Sequence, residues 1–316
     1  MSDLKLFRVT DRIVEPVASS TAALEVDLQR IVEANMETIF GVRLLASEYS
    51  TGLIHAGRMD SIGIDESGTP VIFEYKRNIS ESVINQGLFY LDWLIDHQGD
   101  FKVLVQERLG HEVAKTVDFA GPRLVCIANG FTRYDEHALR RIGGAIELVR
   151  YQQFEGGLLA FDLVASTTAN KAAQTKTLSA RNPVNEDSNA TRPTTPGKYT
   201  TVAEHLQKSP RRLQELYDDL RVAIEGLGDD VSINQTKYYF NFRKLKSFAS
   251  VEVYSQAQKL LVYVKLDPQS MVLEEGFMRD VTNIGHLGNG HLELTITSPE
   301  TLAKAMPYIS ASYEAN

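Results

Sequence analysis

At 316 residues, 43% hydrophobic and 23% charged, the chain has the composition of a folded globular protein and the length of two domains, which excludes disorder throughout. No apolar run approaches the roughly 20 residues that a bilayer crossing needs, and the N-terminus has no basic stretch followed by an apolar one, so a cytoplasmic protein without membrane insertion is expected. A single cysteine excludes an intrachain disulfide and a cysteine-rich zinc site, and a net charge of −8 excludes a surface that grips nucleic acid everywhere.

Ser19 or Ser20 is placed to cap a helix in which Leu24, Leu28, Ile31, Val32 and Met36 fall at helical spacing. Three strand-like segments follow at 42–49, 55–64 and 71–76, with Asp65-Glu66-Ser67-Gly68-Thr69-Pro70 as the turn between the second and third. A helix capped by Ser80 or Ser82 runs to about Asp96, its stripe formed by Val83, Leu88, Leu91 and Leu94, with Trp93 as a core residue. After another helical stretch come a buried strand at 122–128 that holds Cys126, a helix at 136–142, and closing strands at 146–154 and 158–164. The order of helix, three strands, helix and strand is that of an α/β sandwich around a mixed sheet. Acidity concentrates here, with 24 acidic against 16 basic residues in 1–165.

Residues 166–197 carry three prolines, many Ser, Thr and Asn and almost no large apolar side chain, which reads as an interdomain linker across which few contacts are expected. Beyond it, helices at 199–207 and 210–227, strands at 236–242, 248–254, 259–266 and 291–296, and a closing helix at 299–311 describe a smaller α+β domain over 198–316. Its stretch Lys237 to Lys246 interleaves basic and aromatic residues, so Arg243, Lys244 and Lys246 are candidate phosphate contacts, against the plainer reading of a strand with a basic loop. His286-Leu-Gly-Asn-Gly-His291 offers too few ligands for zinc and reads as a turn.

The chemistry concentrates in Gly57-Arg58-Met59-Asp60 and, after the next turn, Val71-Ile72-Phe73-Glu74-Tyr75-Lys76-Arg77. Alternation in a strand puts Glu74 and Lys76 on one face and Phe73 and Tyr75 on the other. A hairpin centred on Ser67-Gly68 pairs residues whose numbers sum to about 134, which sets Asp60 beside Glu74. Two adjacent carboxylates repel unless a hard cation bridges them, and a lysine beside them is placed to serve an attacking water. On the following helix Gln86 and Tyr90 are four residues apart and share a face. Glu25 on the first helix is a further acid, and Arg58 and Arg77 are candidate phosphate contacts.

Asp60 with Glu74-Tyr75-Lys76 resembles the PD-(D/E)XK nuclease signature, and Gln86-Gly-Leu-Phe-Tyr90 resembles the QxxxY motif of its RecB-type members. Glu25, Arg58 to Asp60, Glu74 to Lys76 and Gln86 to Tyr90 are together similar to the pattern of NucS-like endonuclease domains, with Met59 where the signature has proline. The resemblance covers about residues 20–165. It implies a restriction-endonuclease-like fold and Mg²⁺- or Mn²⁺-dependent hydrolysis of phosphodiester bonds in nucleic acid, DNA foremost, by a metal-activated water. It implies further that Asp60, Glu74 and the Tyr75 carbonyl bind the metal, that Lys76 serves the water, that Gln86 and Tyr90 hold substrate and Lys76, and that Glu25 is auxiliary. The C-terminal region resembles a domain of bacterial proteins sometimes labelled predicted transport proteins. The competing expectations are a catalytically silent nucleic-acid-binding or regulatory protein and an accessory of transport; a homodimer and a protein partner for the C-terminal domain are compatible with any of these.

Overall fold

The computed structural model describes residues 4–19, 25–52, 56–76, 82–139, 141–167 and 201–316. The expected linker therefore falls almost wholly outside the described residues, as do Arg77 and the side chain of Glu25.

A hairpin absent from the sequence expectations comes first: β1 (Leu6–Thr10) pairs antiparallel with β2 (Ile13–Val17), turning at Asp11 and Arg12 with φ of 48° and 70°. The expected cap Ser19 instead bridges to Phe154. The first helix is two, α1 (Glu25–Ala34) and α2 (Met36–Phe40), broken at Asn35 and closed by Gly41 at φ 65°, the left-handed cap that glycine adopts without strain.

Strands β3 (Val42–Ser50), β4 (Arg58–Asp65) and β5 (Pro70–Lys76) then form an antiparallel meander. Helices α3 (Ser82–Asp96), α4 (Gln98–Leu109) and α5 (His111–Lys115) lead to β6 (Arg123–Ala128), which lies parallel to β5. Helix α6 (Arg133–Leu139) connects to β7 (Ala145–Phe154), parallel to β6, and β8 (Leu158–Ser166) closes the mixed sheet antiparallel. Its strand order is β3-β4-β5-β6-β7-β8.

Alternation along these strands builds a core on each face. Val71, Phe73, Tyr75, Val125 and Ile127 pack against Leu28, Val32, Met36 and Phe40 of α1 and α2. Ile62, Ile72, Leu124 and Cys126 pack against Val83, Leu91, Trp93 and Leu94 of α3. Each such fully buried large apolar side chain contributes about 1.5–3 kcal/mol, so the strand faces, and with them the side that Glu74 takes, are strongly specified.

The C-terminal part is α+β, as the sequence leads one to expect. Helices α7 (Val202–Gln207) and α8 (Arg211–Glu225) precede β9 (Ser232–Gln235), β10 (Tyr239–Arg243), β11 (Ser247–Tyr254), β12 (Lys259–Val264), β13 (Met278–Asp280) and β14 (Leu292–Ile296); α9 (Pro299–Ala315) ends the chain. The sheet order is β13-β14-β12-β11-β10-β9, with a core of its own that takes in Leu216, Leu220, Phe242, Val262 and Ile309.

The two sheets meet at the β4–β5 turn through a buried ionic cluster, which corrects the expectation of few contacts. Arg123 donates to both oxygens of Glu147 at 2.9 Å and to Asp65 Oδ2 at 3.1 Å. Arg243 from β10 reaches the same Asp65 Oδ2 at 3.4 Å and donates to Leu245 O at 2.7 Å. Around it, Asn241 and Asn289 each donate to Ser67 Oγ, at 3.1 and 2.9 Å, and Lys265 pairs with Glu66.

Candidate active site

The β4–β5 register is the one expected from the turn: Ser61 faces Phe73 and Ile62 faces Ile72, so the next step brings Asp60 beside Glu74. The turn is held by Asp65 Oδ1, which accepts from Ser67 N at 2.9 Å and Thr69 N at 3.0 Å, and by Gly68 at φ 75°. Asp60 and Glu74 interlock through the backbone. Asp60 N donates to Glu74 Oε1 at 3.3 Å, and Tyr75 N donates to Asp60 Oδ2 at 2.9 Å.

Glu74 is fully buried, and among the described residues its Oε2 has no hydrogen-bond partner. Burial first, and the neighbouring Asp60 second, push its carboxyl from 4.5 up to about 9, with Lys76 pulling the other way. A buried oxygen left bare beside a second carboxylate is a costly arrangement in a protein interior. The donor set suits a hard divalent cation, which would supply the missing partner and favour both ionised carboxylates. Asp60 and Glu74 offer two candidate side-chain ligands; among the described residues there is no group of three or more His, Cys, Asp or Glu side chains that could hold a metal. A cation here would therefore rely on the Tyr75 carbonyl and on water for its remaining positions.

Helix α3 lies on the Glu74 face of the sheet. Gln86 Nε2 donates to the Tyr90 hydroxyl at 3.2 Å, and that hydroxyl also accepts from Arg58 N at 3.1 Å. Tyr90 thus ties the start of β4, two residues from Asp60, to α3. The packing leaves no room for a side chain at residue 57, since a Cβ on Gly57 would lie 2.6 Å from the Tyr90 ring. The Arg58 side chain is exposed and pairs with Glu48 on β3 at 2.5 Å. Lys76 is half-buried at the carboxyl end of β5, the end where open α/β sheets place their ligands.

Two residues on α1 that the sequence reading passed over support the site from the opposite face. Gln29 Nε2 donates to Asp60 O at 3.0 Å and to Glu33 Oε1 at 3.0 Å, and Glu33 Oε1 accepts from Ser61 Oγ at 2.7 Å. Their signal was the i, i+4 spacing of Glu25, Gln29 and Glu33 along one helix. Glu25 is the first residue of α1, one turn before Gln29.

Of the expected phosphate contacts of the C-terminal part, Arg243 is corrected. Arg243 is only 2% exposed, because its guanidinium is consumed by Asp65 and Leu245 O. Lys244 is half-buried, 4.5 Å from the Tyr313 ring centre and 3.9 Å from Asp230. Lys246 is half-buried in the same turn, its carbonyl accepting from Lys244 N at 2.9 Å.

Residues 202–316 match the family model described as a domain of unknown function (DUF5655). A Haemophilus influenzae protein described as uncharacterized is 26% identical over 309 residues, 97% of this chain and 98% of that one. Among solved structures, a repair endonuclease from Pyrococcus abyssi is 22% identical with a TM-score of 0.28, over 44% of this chain and 54% of that chain. EndoMS in a complex with dsDNA is 21% identical with a TM-score of 0.25, over 42% and 49%. The chain thus spans about half the length of these solved structures, and likeness at this level does not bear on activity. No helix among the described residues is long and apolar enough to cross a membrane.

Proposed function

We propose that the N-terminal part is a metal-dependent phosphodiesterase, an endonuclease that hydrolyses nucleic acid, DNA foremost. The observation that carries the reading is Glu74 Oε2, buried and without a partner among the described residues, beside Asp60 at the carboxyl end of β5. The PD-(D/E)XK-like order of Asp60, Glu74, Lys76, Gln86 and Tyr90 supports it, as do the hydrogen bonds of Asp60 with Glu74 and Tyr75 and those of Tyr90 with Gln86 and Arg58 N.

Asp60, Glu74 and the Tyr75 carbonyl would hold Mg²⁺ or Mn²⁺, which when bound supplies a Lewis acid for the phosphodiester and lowers the pKa of the attacking water. Without a cation, the raised Glu74 carboxyl keeps a proton, which relieves the repulsion from Asp60. The Lys76 ammonium would hydrogen-bond the attacking water and oppose the negative charge that develops on the phosphate. Gln86 and Tyr90 would fix the geometry by anchoring β4 at Arg58 N. Arg58 and Arg77 would contact phosphates, and Glu25 would be an auxiliary acid. On this reading residues 1–165 hydrolyse, 166–197 link, and 198–316 select the target or partner.

The test is a cleavage assay in Mg²⁺ and in Mn²⁺ on single-stranded, double-stranded, branched and mismatched DNA, with wild-type protein and Asp60→Ala. Cutting of at least one substrate by wild type and loss of it in the variant is expected. Equal cutting by both sinks the site assignment. Binding without cutting of any substrate favours a silent binding protein.

A further inference from the structure

The basic and aromatic run of the C-terminal part is turned inward at Arg243 and outward at its other end. Lys237 and Tyr238 sit at the junction of two adjoining clefts of about 620 and 360 Å³, which share these two residues and Leu287. The larger cleft runs between the two sheets, with Lys102 and Lys115 on the N-terminal side and Asn289 on the C-terminal side. The smaller continues past His205 to Tyr254.

Large aromatic surface is left in the solvent along this path: Tyr238 is 50% exposed and Tyr254 42%. Each ring has an ammonium beside it, Lys237 Nζ at 4.9 Å from the Tyr238 centre and Lys259 Nζ at 5.6 Å from the Tyr254 centre. The carboxylates lining the clefts are already engaged. Glu66 pairs with Lys265, Asp118 accepts from Ala120 N and Lys237 N, and Glu252 accepts from Gly288 N and the Tyr254 hydroxyl. Lys115 pairs with Glu112, and Lys102 Nζ lies 6.0 Å from the Phe119 ring centre.

We propose that these clefts form a platform for single-stranded nucleic acid, with bases stacking on Tyr238 and Tyr254 and phosphates meeting Lys102, Lys237 and Lys259. A ring with a cation beside it matches what one nucleotide presents, a π-face and a phosphate. A duplex, whose bases already stack on each other, would use only the lysines. The proposal rests on the nucleic-acid reading of the Asp60 and Glu74 site for the choice of polymer, but not on turnover. The larger cleft touches Ser67 and Gly68 at the turn, whereas Asp60 and Glu74 lie at the other end of the same hairpin. The seven residues of β5 span about 20 Å at a strand rise of ~3.3 Å, so the platform holds a strand at a distance from the site.

The experiment measures anisotropy of a labelled oligothymidylate with full-length protein in EDTA, where no hydrolysis can occur. Tyr238→Ala should weaken binding about 5- to 150-fold, the range set by stacking worth about 1–3 kcal/mol per base, while Tyr238→Phe should bind like wild type. The Lys237→Ala, Lys259→Ala double variant should lower the salt slope by about 0.7 for each phosphate that is no longer neutralised. Photo-crosslinking of a bromouracil-substituted strand should map to Tyr238 or Tyr254, which a purely structural role would not produce. Unchanged affinity of Tyr238→Ala, an equal loss in Tyr238→Phe, or competition by duplex DNA or an acidic peptide as strong as that by the single strand overturns the proposal. Binding is read in EDTA and hydrolysis only in the cleavage assay with metal, so failure of the hydrolytic reading is separable from failure of the platform.

Discussion

Replacing Arg243 with Met should strongly destabilise the protein while leaving Asp60, Glu74 and its exposed basic residues in place. In the folded protein two arginines, Arg123 and Arg243, balance two carboxylates, Asp65 and Glu147, all of them buried. Burial, with Arg123 next, pulls the Arg243 guanidinium down to about 10, and Glu147 and Asp65 keep it charged. Removing one arginine leaves two carboxylates facing one cation and strips Leu245 O of its 2.7 Å donor. Breaking a buried ionic cluster in this way costs about 3–5 kcal/mol, a large part of the ~5–15 kcal/mol that holds a typical domain folded. Adding Asp65→Asn restores neutrality while keeping an acceptor for Ser67 N and Thr69 N, so the double variant should recover about 1–3 kcal/mol. Urea unfolding read by the single tryptophan, Trp93 in the N-terminal part, and by circular dichroism over the whole chain measures both effects. The two signals should coincide in wild type and separate in Arg243→Met, because the cluster joins the sheets. A destabilisation below about 1 kcal/mol, or a double variant no better than the single, would show that the cluster does not dock the two parts.

Glu74→Gln should stabilise the metal-free protein. Its folded pKa of about 9 lies above the unfolded value of 4.5, so the contribution is fully present below about pH 4.5 and is lost as pH rises through 9, by up to about 1.4 kcal/mol per pH unit; urea unfolding in EDTA at several pH values should show this slope in wild type and not in the variant. Lys76→Ala should retain Mn²⁺ binding by electron paramagnetic resonance and lose turnover, and retained turnover would remove the lysine from the chemistry. Gly68→Ala should lower stability by about 1–3 kcal/mol, since φ is 75° and the new Cβ would lie 2.3 Å from Thr116 O; an unchanged thermal midpoint would contradict that packing.

What could be read in the sequence was local or periodic. The Asp65 to Pro70 turn fixed the pairing of Asp60 with Glu74 because side-chain alternation and a glycine turn leave one register that buries Phe73 and Ile72. The first hairpin was missed because it turns on Asp11 and Arg12 rather than on glycine or asparagine, and because Phe7, Val9, Ile13 and Val14 are exposed, so no buried face marks the strands. Arg243 was misread because its partners are distant in the chain: Asp65 is 178 residues away, and in sequence the arginine sits in a run that looks like a basic surface. Gln29 and Glu33 were hidden for a related reason, as their helix offers an apolar stripe that explains its packing without them.

The central claim is that Asp60 and Glu74 hold a cation that drives hydrolysis. Its most direct test is the single-turnover cleavage rate of a labelled DNA substrate as Mn²⁺ is titrated, for wild type and Asp60→Ala side by side. A saturable rise in wild type, with a drop on the order of 10²–10³-fold or more in the variant, is the predicted result; a rate that does not depend on Mn²⁺, or one that Asp60→Ala leaves unchanged, would contradict it.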